Sequence, residues 1–168
     1  IASFRGKSDK TARAIRTLQS LEKLPGNVRL VTGDVCNVVE MRAAIEEVRS
    51  AFGDIHGVIH AAGAIDDAPL LAKTTAQVED VLAPKIHGTM VLDQLFADGE
   101  LEFLTLFSST STVLTPAGQV DYVADNTFLN AYAESRKADK TQVTAVNWGI
   151  WSDVGMAAHS IAERNGEA

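Results

Sequence analysis

The sequence predicts an α/β protein with a doubly wound, mostly parallel sheet, and two observations carry that prediction. Segments with apolar residues at helical spacing alternate with apolar, β-branched runs of four to six residues. The stretches between those runs are long enough for crossover helices, which parallel strands require and which bury a sheet on both faces. Composition agrees: of 168 residues 46% are hydrophobic and 22% charged, with Gly 12 and Pro 4, excluding disordered, collagenous and low-complexity classes.

Taken in chain order, Ile1 to Phe4 read as extended. A helix follows, capped by Ser8, with Thr11, Ala14, Ile15, Leu18 and Leu21 on one face and Pro25-Gly26 as its stop. Val28 to Thr32 read as a strand. Asn37 with Glu40 is a capping-box-like start for a second helix, whose Met41, Ile45, Val48 and Phe52 repeat at helical spacing until Gly53. Gly57 to His60 read as a short buried strand. From Thr75 a long helical pattern runs to about Phe96, with a kink or a fresh start expected near Pro84, because proline removes a backbone donor. Phe103 to Phe107 are the next strand, Ser108 to Gln119 a polar, small-residue stretch, Val120 to Lys137 a helix, and Val143 to Trp148 a last strand.

Charge and cysteine content narrow the partners. Net charge is −7, but residues 1–50 hold nine Lys/Arg against six Asp/Glu, while residues 51–168 hold six against sixteen. An acidic body argues against nucleic acid or an anionic membrane as partner. Cys36 is the single cysteine and no apolar run has membrane-spanning length, so a cytoplasmic, reducing location is expected. No metal is expected.

In such sheets ligands bind at the carboxyl ends of the strands. The residues there are Gly33-Asp34-Val35, His60-Ala61-Ala62-Gly63, Ser108-Ser109-Thr110 and Asn147-Trp148-Gly149. Tyr122 and Asn126 stand four apart near a helix start, on one face, and Ser109 lies thirteen residues before Tyr122 at a strand end. A phenol and a hydroxyl converging on one point suit a carbonyl that gains negative charge on oxygen as hydride adds: the phenol donates a proton and the serine holds the oxygen. A tyrosine with an ordinary pKa of about 10 needs a nearby cation to lose that proton, and Lys85 is the candidate. Each residue also has a plain reading. Ser109 could satisfy a turn, Lys85 could be solvated, His60 could be a core histidine, and Asp66 and Asp67 could cap a loop.

Five segments change those odds together: His60-Ala-Ala-Gly-Ala-Ile-Asp-Asp67, Leu82-Ala-Pro-Lys-Ile-His-Gly88, Leu106-Phe-Ser-Ser109, Gly118-Gln-Val-Asp-Tyr-Val-Ala-Asp-Asn126 and Asn147-Trp-Gly-Ile-Trp151. In order and spacing, from about Gly33 to Met156, they resemble the ketoreductase domains of modular polyketide synthases, relatives of the short-chain dehydrogenases/reductases. The resemblance implies a Rossmann-like sheet, incomplete at its N-terminal end, in residues 1–168 as a single partial domain. It implies reduction of a 3-oxoacyl thioester on the phosphopantetheine of an acyl carrier protein, among neighbouring synthase domains. Tyr122 matches the proton donor, Ser109 the substrate-orienting serine, Lys85 the lysine of the earlier helix, and Asn126 the position where ordinary short-chain dehydrogenases keep theirs. Asp34, followed by Val35, matches the aspartate near adenine, and His60, Ala61, Ala62 and Gly63 match the nicotinamide side, with NADPH as cofactor. Ile65-Asp66-Asp67 resembles the Leu-Asp-Asp signature of B-type domains, and Leu114 stands where A-type domains carry tryptophan; both favour a D-configured hydroxyl.

Two departures follow. The Gly-rich phosphate turn that this family places before the first extended segment does not occur among these residues, and Phe4 stands where the family often has arginine, with Arg5 or Lys7 as substitutes. The isolated 168 residues are therefore expected to be inactive and to bind NADPH very weakly, and the alternative function is a structural or interaction fragment.

Overall fold

The computed structural model describes residues 10–21 and 23–151. The chain divides into two units, one of Ile1–Leu30 with Trp151–Ala168 and one of Val31–Ile150. The expected strand at Ile1 to Phe4 and the Ser8 cap lie outside the described residues. In the first unit, α1 spans Lys10–Leu21 with Ile15 and Leu18 half-buried. It ends in a turn in which the Lys23 and Leu24 N–H groups reach back to the Ser20 and Leu21 carbonyls. Gly26 follows at φ 128°, which a side chain would strain.

The strand expected at Val28 to Thr32 does not form among the described residues: the run joins no ladder, and Val28 and Leu30 stay exposed. β-Branched composition gives a segment a preference, but a strand also needs a hydrogen-bonded neighbour.

The second unit begins with α2, Val38–Phe52. Asn37 caps it by accepting from the Val39 and Glu40 N–H groups, at 3.0 and 3.3 Å. Glu40 completes the turn differently from a capping box: its carboxylate takes the Asn37 side-chain amide and the Asp34 N–H, both at 2.9 Å. Gly53, at φ 84°, closes the helix with its N–H on the Arg49 carbonyl.

β1 (Gly57–His60), β2 (Phe103–Ser109) and β3 (Gln142–Trp148) form a parallel sheet in the order β1-β2-β3. Parallel strands joined by helices in this order are the pattern of a Rossmann-like fold. Val58, Leu104 and Val143 lie in register, as do His60, Leu106 and Ala145. The Phe103 ring covers Gly57 so closely that a Cβ there would sit 2.2 Å from it, which is why glycine starts β1.

The crossovers are α3 (Thr75–Leu95) and α5 (Val120–Ser135). Both carry the chain one strand further in the same direction, so right-handed connections place both on one face of the sheet. There Leu92, Phe96 and Leu129 pack with Leu104, Leu106 and Ile45 of α2. The burial expected on both faces is met on this one. Among the described residues the other face leaves Ile59 62% and Phe103 40% exposed.

α3 is a single helix that includes Pro84, where a kink or restart was expected. Its start is held by a full capping box between Thr74 and Gln77. Val81 and Lys85 are buried on either side of Pro84. Within the polar stretch after β2, a short helix α4 (Ser111–Leu114) forms and stops at Thr115, whose φ is 44°.

Candidate active site

The strand ends meet the start of α5 through hydrogen bonds that the polar sequence there makes possible. Ser108 Oγ, at the end of β2, lies 3.1 Å from both the Asn126 carbonyl and Asn147 Oδ1 of β3. Asn147 Oδ1 also accepts from Asn130 Nδ2 at 3.1 Å. The first turns of α5 are thus fastened to the carboxyl edge of the sheet.

On that edge Lys85, Asp125 and Asn126 are 3%, 0% and 0% exposed, and they bond to one another, with Asp125 Oδ2 left without a partner. Lys85 Nζ donates to Asn126 Oδ1 at 2.7 Å and lies 3.7 Å from Asp125 Oδ1. Asn126 Nδ2 donates to Asp125 Oδ1 at 2.8 Å and to the Tyr122 carbonyl at 2.6 Å. Burial lowers the pKa of Lys85, opposed by Asp125. Burial pushes Asp125 up to about 7, opposed by Lys85. Each ion is costly to bury and the pair offsets part of that cost.

The Lys85 ammonium stands over the Tyr122 ring, 4.5 Å from its centroid. Tyr122 is half-buried; burial raises the phenol's pKa, while hydrogen bonds with Ser109 and Asn126 lower it. Ser109 Oγ also accepts the Ser111 N–H at 3.1 Å, which fixes its position. Tyr122, Ser109, Lys85 and Asn126 are therefore one contiguous group. The lysine lies over the face of the ring and bonds Asn126, and the phenol's pKa is raised, chiefly by burial, where a nearby cation favouring proton loss was expected to lower it. The phenol is consequently protonated at neutral pH, the form a proton donor needs.

A second group lies against α3. A Cβ at Gly88 would meet the Val35 side chain at 3.0 Å and His60 Cε1 at 3.2 Å, so Val35 and the end of β1 converge over the same glycine. His60 is buried, its pKa lowered chiefly by burial and held up by hydrogen bonds to the backbone of Pro84 and Lys85. Its Nε2 has no partner. Ala61 and Gly63 beyond it are exposed and Ala62 half-buried. Asp34 is exposed and its Oδ1 accepts the Cys36 N–H at 2.9 Å. An open small-residue shelf and an exposed carboxylate suit the ring and the amine of a nicotinamide dinucleotide. Arg5 lies outside the described residues.

Asp67 lies in the segment that follows β1, and Leu114 ends α4, which follows β2. Asp67 Oδ2 accepts from Gln119 Nε2 at 3.0 Å, and its charge is one of those raising the Tyr122 pKa. Leu114, on α4, is 73% exposed. Sequence reasoning passed over Asp125, whose partner Lys85 is 40 residues away, and over Lys73 and Asp121, which form a buried ion pair. A charged residue four positions from other buried ones on a helix was the available signal. A small cavity of about 20 Å³, among Leu92, Tyr132, Arg136 and Thr141, lies toward the other end of the strands.

The family model described as the KR domain matches residues 2–153. The chain is 34% identical over 165 residues to polyketide synthase PksN of Bacillus subtilis (strain 168), covering 95% of this chain and 3% of that protein. It is 37% identical over 154 residues to 6-methylsalicylic acid synthase of Aspergillus terreus, covering 90% and 8%. The solved structure of an A1-type ketoreductase matches with a TM-score of 0.80 and 31% identity, covering 97% of this chain and 34% of that one. The chain thus spans a small part of the length of these relatives.

Proposed function

The chain belongs to the KR-domain family of polyketide synthases, within the short-chain dehydrogenase/reductase superfamily, and on that premise we propose that it is part of one ketoreductase domain. The reaction is NADPH-dependent reduction of a 3-oxoacyl thioester carried on an acyl carrier protein. The single observation that carries this reading is the contiguous group of Tyr122, Ser109, Asn126 and Lys85 at the carboxyl edge of the sheet.

The bound cofactor supplies the hydride that adds to the carbonyl carbon. This chain's residues manage the proton and the charge. Ser109 orients the carbonyl oxygen, and Tyr122 gives that oxygen its phenolic proton, completing the alcohol. Lys85, above the ring, stabilises the phenolate left behind until solvent reprotonates it. Asn126 holds Lys85 there. Asp34 and Val35 receive the adenine end, and His60 to Gly63 form the nicotinamide shelf, with Arg5 as a candidate for the adenosine phosphate. The Ile65-Asp66-Asp67 loop and Leu114 favour a D-configured 3-hydroxyl by biasing which way round the acyl chain lies beside Tyr122. The setting in this reading is the cytoplasm, beside other synthase domains. Among the described residues no helix is long and apolar enough to cross a membrane.

The test is Tyr122→Phe in the full parent protein, assayed with NADPH and a 3-oxoacyl thioester. Turnover should fall about 10²–10⁴-fold, the usual worth of an acid–base group. Retention of full turnover would refute the assignment.

A further inference from the structure

A second buried ion pair stands beside this group, and the reading above gives it no role. The side chains of Lys73 and Asp121 are 0% and 1% exposed, whereas those of Arg49–Glu100 and Lys137–Glu134 are at least 36% exposed. Charges so deeply buried persist only where their remaining bonds are satisfied. Here those bonds lead to two places. Lys73 Nζ donates to Asp121 Oδ2 and to the backbone carbonyl of Asp66. The other oxygen of Asp121 accepts the backbone N–H of Tyr122 at 3.0 Å. One ammonium therefore ties the Asp66 backbone to the carboxylate that holds the backbone of Tyr122.

The loop is fastened along its length. Asp66 Oδ2 accepts from Gln77 Nε2 of α3 at 3.0 Å, Asp67 from Gln119, and the Ala68 N–H reaches the Gly118 carbonyl at 3.1 Å. Asp67 lies near enough for its charge to act on the Tyr122 phenol, so this loop is a wall beside the reacting group. Among these ties Lys73 is the one wholly removed from water. A long cation with three donors can satisfy a carbonyl and a carboxylate at once, which no apolar residue at 73 does.

We propose that Lys73 is a positioning residue that fixes the 66–68 loop against the first turn of α5, and so sets how the acyl chain lies beside Tyr122. The proposal rests on the reading of Tyr122 as proton donor and extends it to the residue that shapes its surroundings.

The experiment uses the full parent protein with Lys73→Met, which removes both donations and keeps the apolar stem. Should the unpaired Asp121 prevent folding, Lys73→Met/Asp121→Asn removes both charges, while the amide oxygen introduced at position 121 still accepts the Tyr122 N–H. With a 3-oxoacyl thioester of a small thiol, KM should rise about tenfold while kcat stays within about threefold, and the ratio of the two 3-hydroxy epimers should shift at least about tenfold toward parity. Amide exchange at Ala68 should quicken. A fall in kcat alone, with KM and epimer ratio unchanged, would overturn the proposal and leave the pair as mere support for the helix. If the parent protein reduces no 3-oxoacyl thioester, the functional reading fails by itself and the exchange measurement decides: unchanged protection of Ala68 overturns the role of Lys73.

Discussion

Along α5 the buried stripe passes through Asp121, Asp125, Leu129 and Ala133, each four residues after the last. One helix face presents them together, yet its first half is charged and its second apolar. α3 is mixed up to Thr89, with Val81, Lys85 and Thr89 buried, and apolar beyond it, with Val91, Leu92 and, just past the helix, Phe96 buried. The apolar half needs no explanation beyond removal of surface from water. The polar half gives up that gain and bears desolvation as well, offset by Lys73 on Asp121 and by Lys85 with Asn126 on Asp125. The offset is incomplete, because Asp125 Oδ2, Thr89 Oγ1 and His60 Nε2 stay buried without a partner. The polar half is also where Tyr122, Asn126 and Lys85 meet at the carboxyl edge of the sheet.

If the halves divide the labour in this way, variants in each should fail in different measurements. The largest effect is Tyr122→Phe, a rate loss of about 10²–10⁴ with little change in melting temperature. Leu129→Ala in the apolar half should do the reverse. Leu129 is 0% exposed at the centre of the core, and its truncation should cost about 2–5 kcal/mol in denaturant unfolding. Turnover per folded molecule should persist. A Leu129→Ala protein that stays stable but loses turnover would erase the distinction.

The two halves were also unequally legible. β1 stands at the bounds its apolar run indicated, and α2 begins at Asn37 and ends at Gly53, because those signals are local. The apolar stripe of α2, through Met41 and Ile45, was readable from periodicity for the same reason. Val28 to Thr32 was not, since a strand depends on a neighbour that the run itself does not specify. β2 runs on through Ser108 and Ser109 because pairing with Asn147 and Trp148 extends it past its apolar residues. Tyr122, Ser109, Lys85 and Asn126 were reachable through motif spacing and family resemblance. Lys73 and Asp125 were not, because their partners lie 48 and 40 residues away and a lone Lys or Asp reads as solvated.

Asp125→Asn tests whether the polar half carries a standing cost. Burial raises Asp125 to about 7, against about 3.9 in an unfolded chain. Between those values the folded state holds a proton that the unfolded state has released, so this group favours folding fully below about pH 4 and loses that contribution as pH rises through about 7. One proton gives a slope of at most about 1.4 kcal/mol per pH unit. The substituted amide can keep the bond from Asn126 Nδ2 and cannot ionise. Unfolding free energies measured at intervals from pH 4 to 7 should therefore fall less in the variant than in the parent protein. Equal slopes would mean that Asp125 is ionised throughout, and that the two halves differ in composition without differing in cost.

The smallest effect is expected at the join between the halves. Ser108 Oγ lies within hydrogen-bond distance of the Asn126 carbonyl and of Asn147 Oδ1, linking β2 to α5 and β3. Ser108→Ala removes a hydroxyl that is itself buried, at 4% exposure. It strands little: Asn147 Oδ1 keeps Asn130 Nδ2 and Thr112 Oγ1, and the Asn126 carbonyl remains available to its own helix. A buried hydrogen bond lost without an orphaned partner costs about 0.5–1.5 kcal/mol. The fall in stability should therefore be near 1 kcal/mol, well below that of Leu129→Ala, and read in the same denaturant titration. Asn126 would lose one restraint on its backbone while its side chain still holds Lys85 at 2.7 Å, so turnover should change by less than about threefold, under 1 kcal/mol in barrier. A large loss of turnover from this variant would show that the strand end, as well as the helix, sets the reacting geometry, and the boundary between framework and chemistry would then have to be drawn through β2.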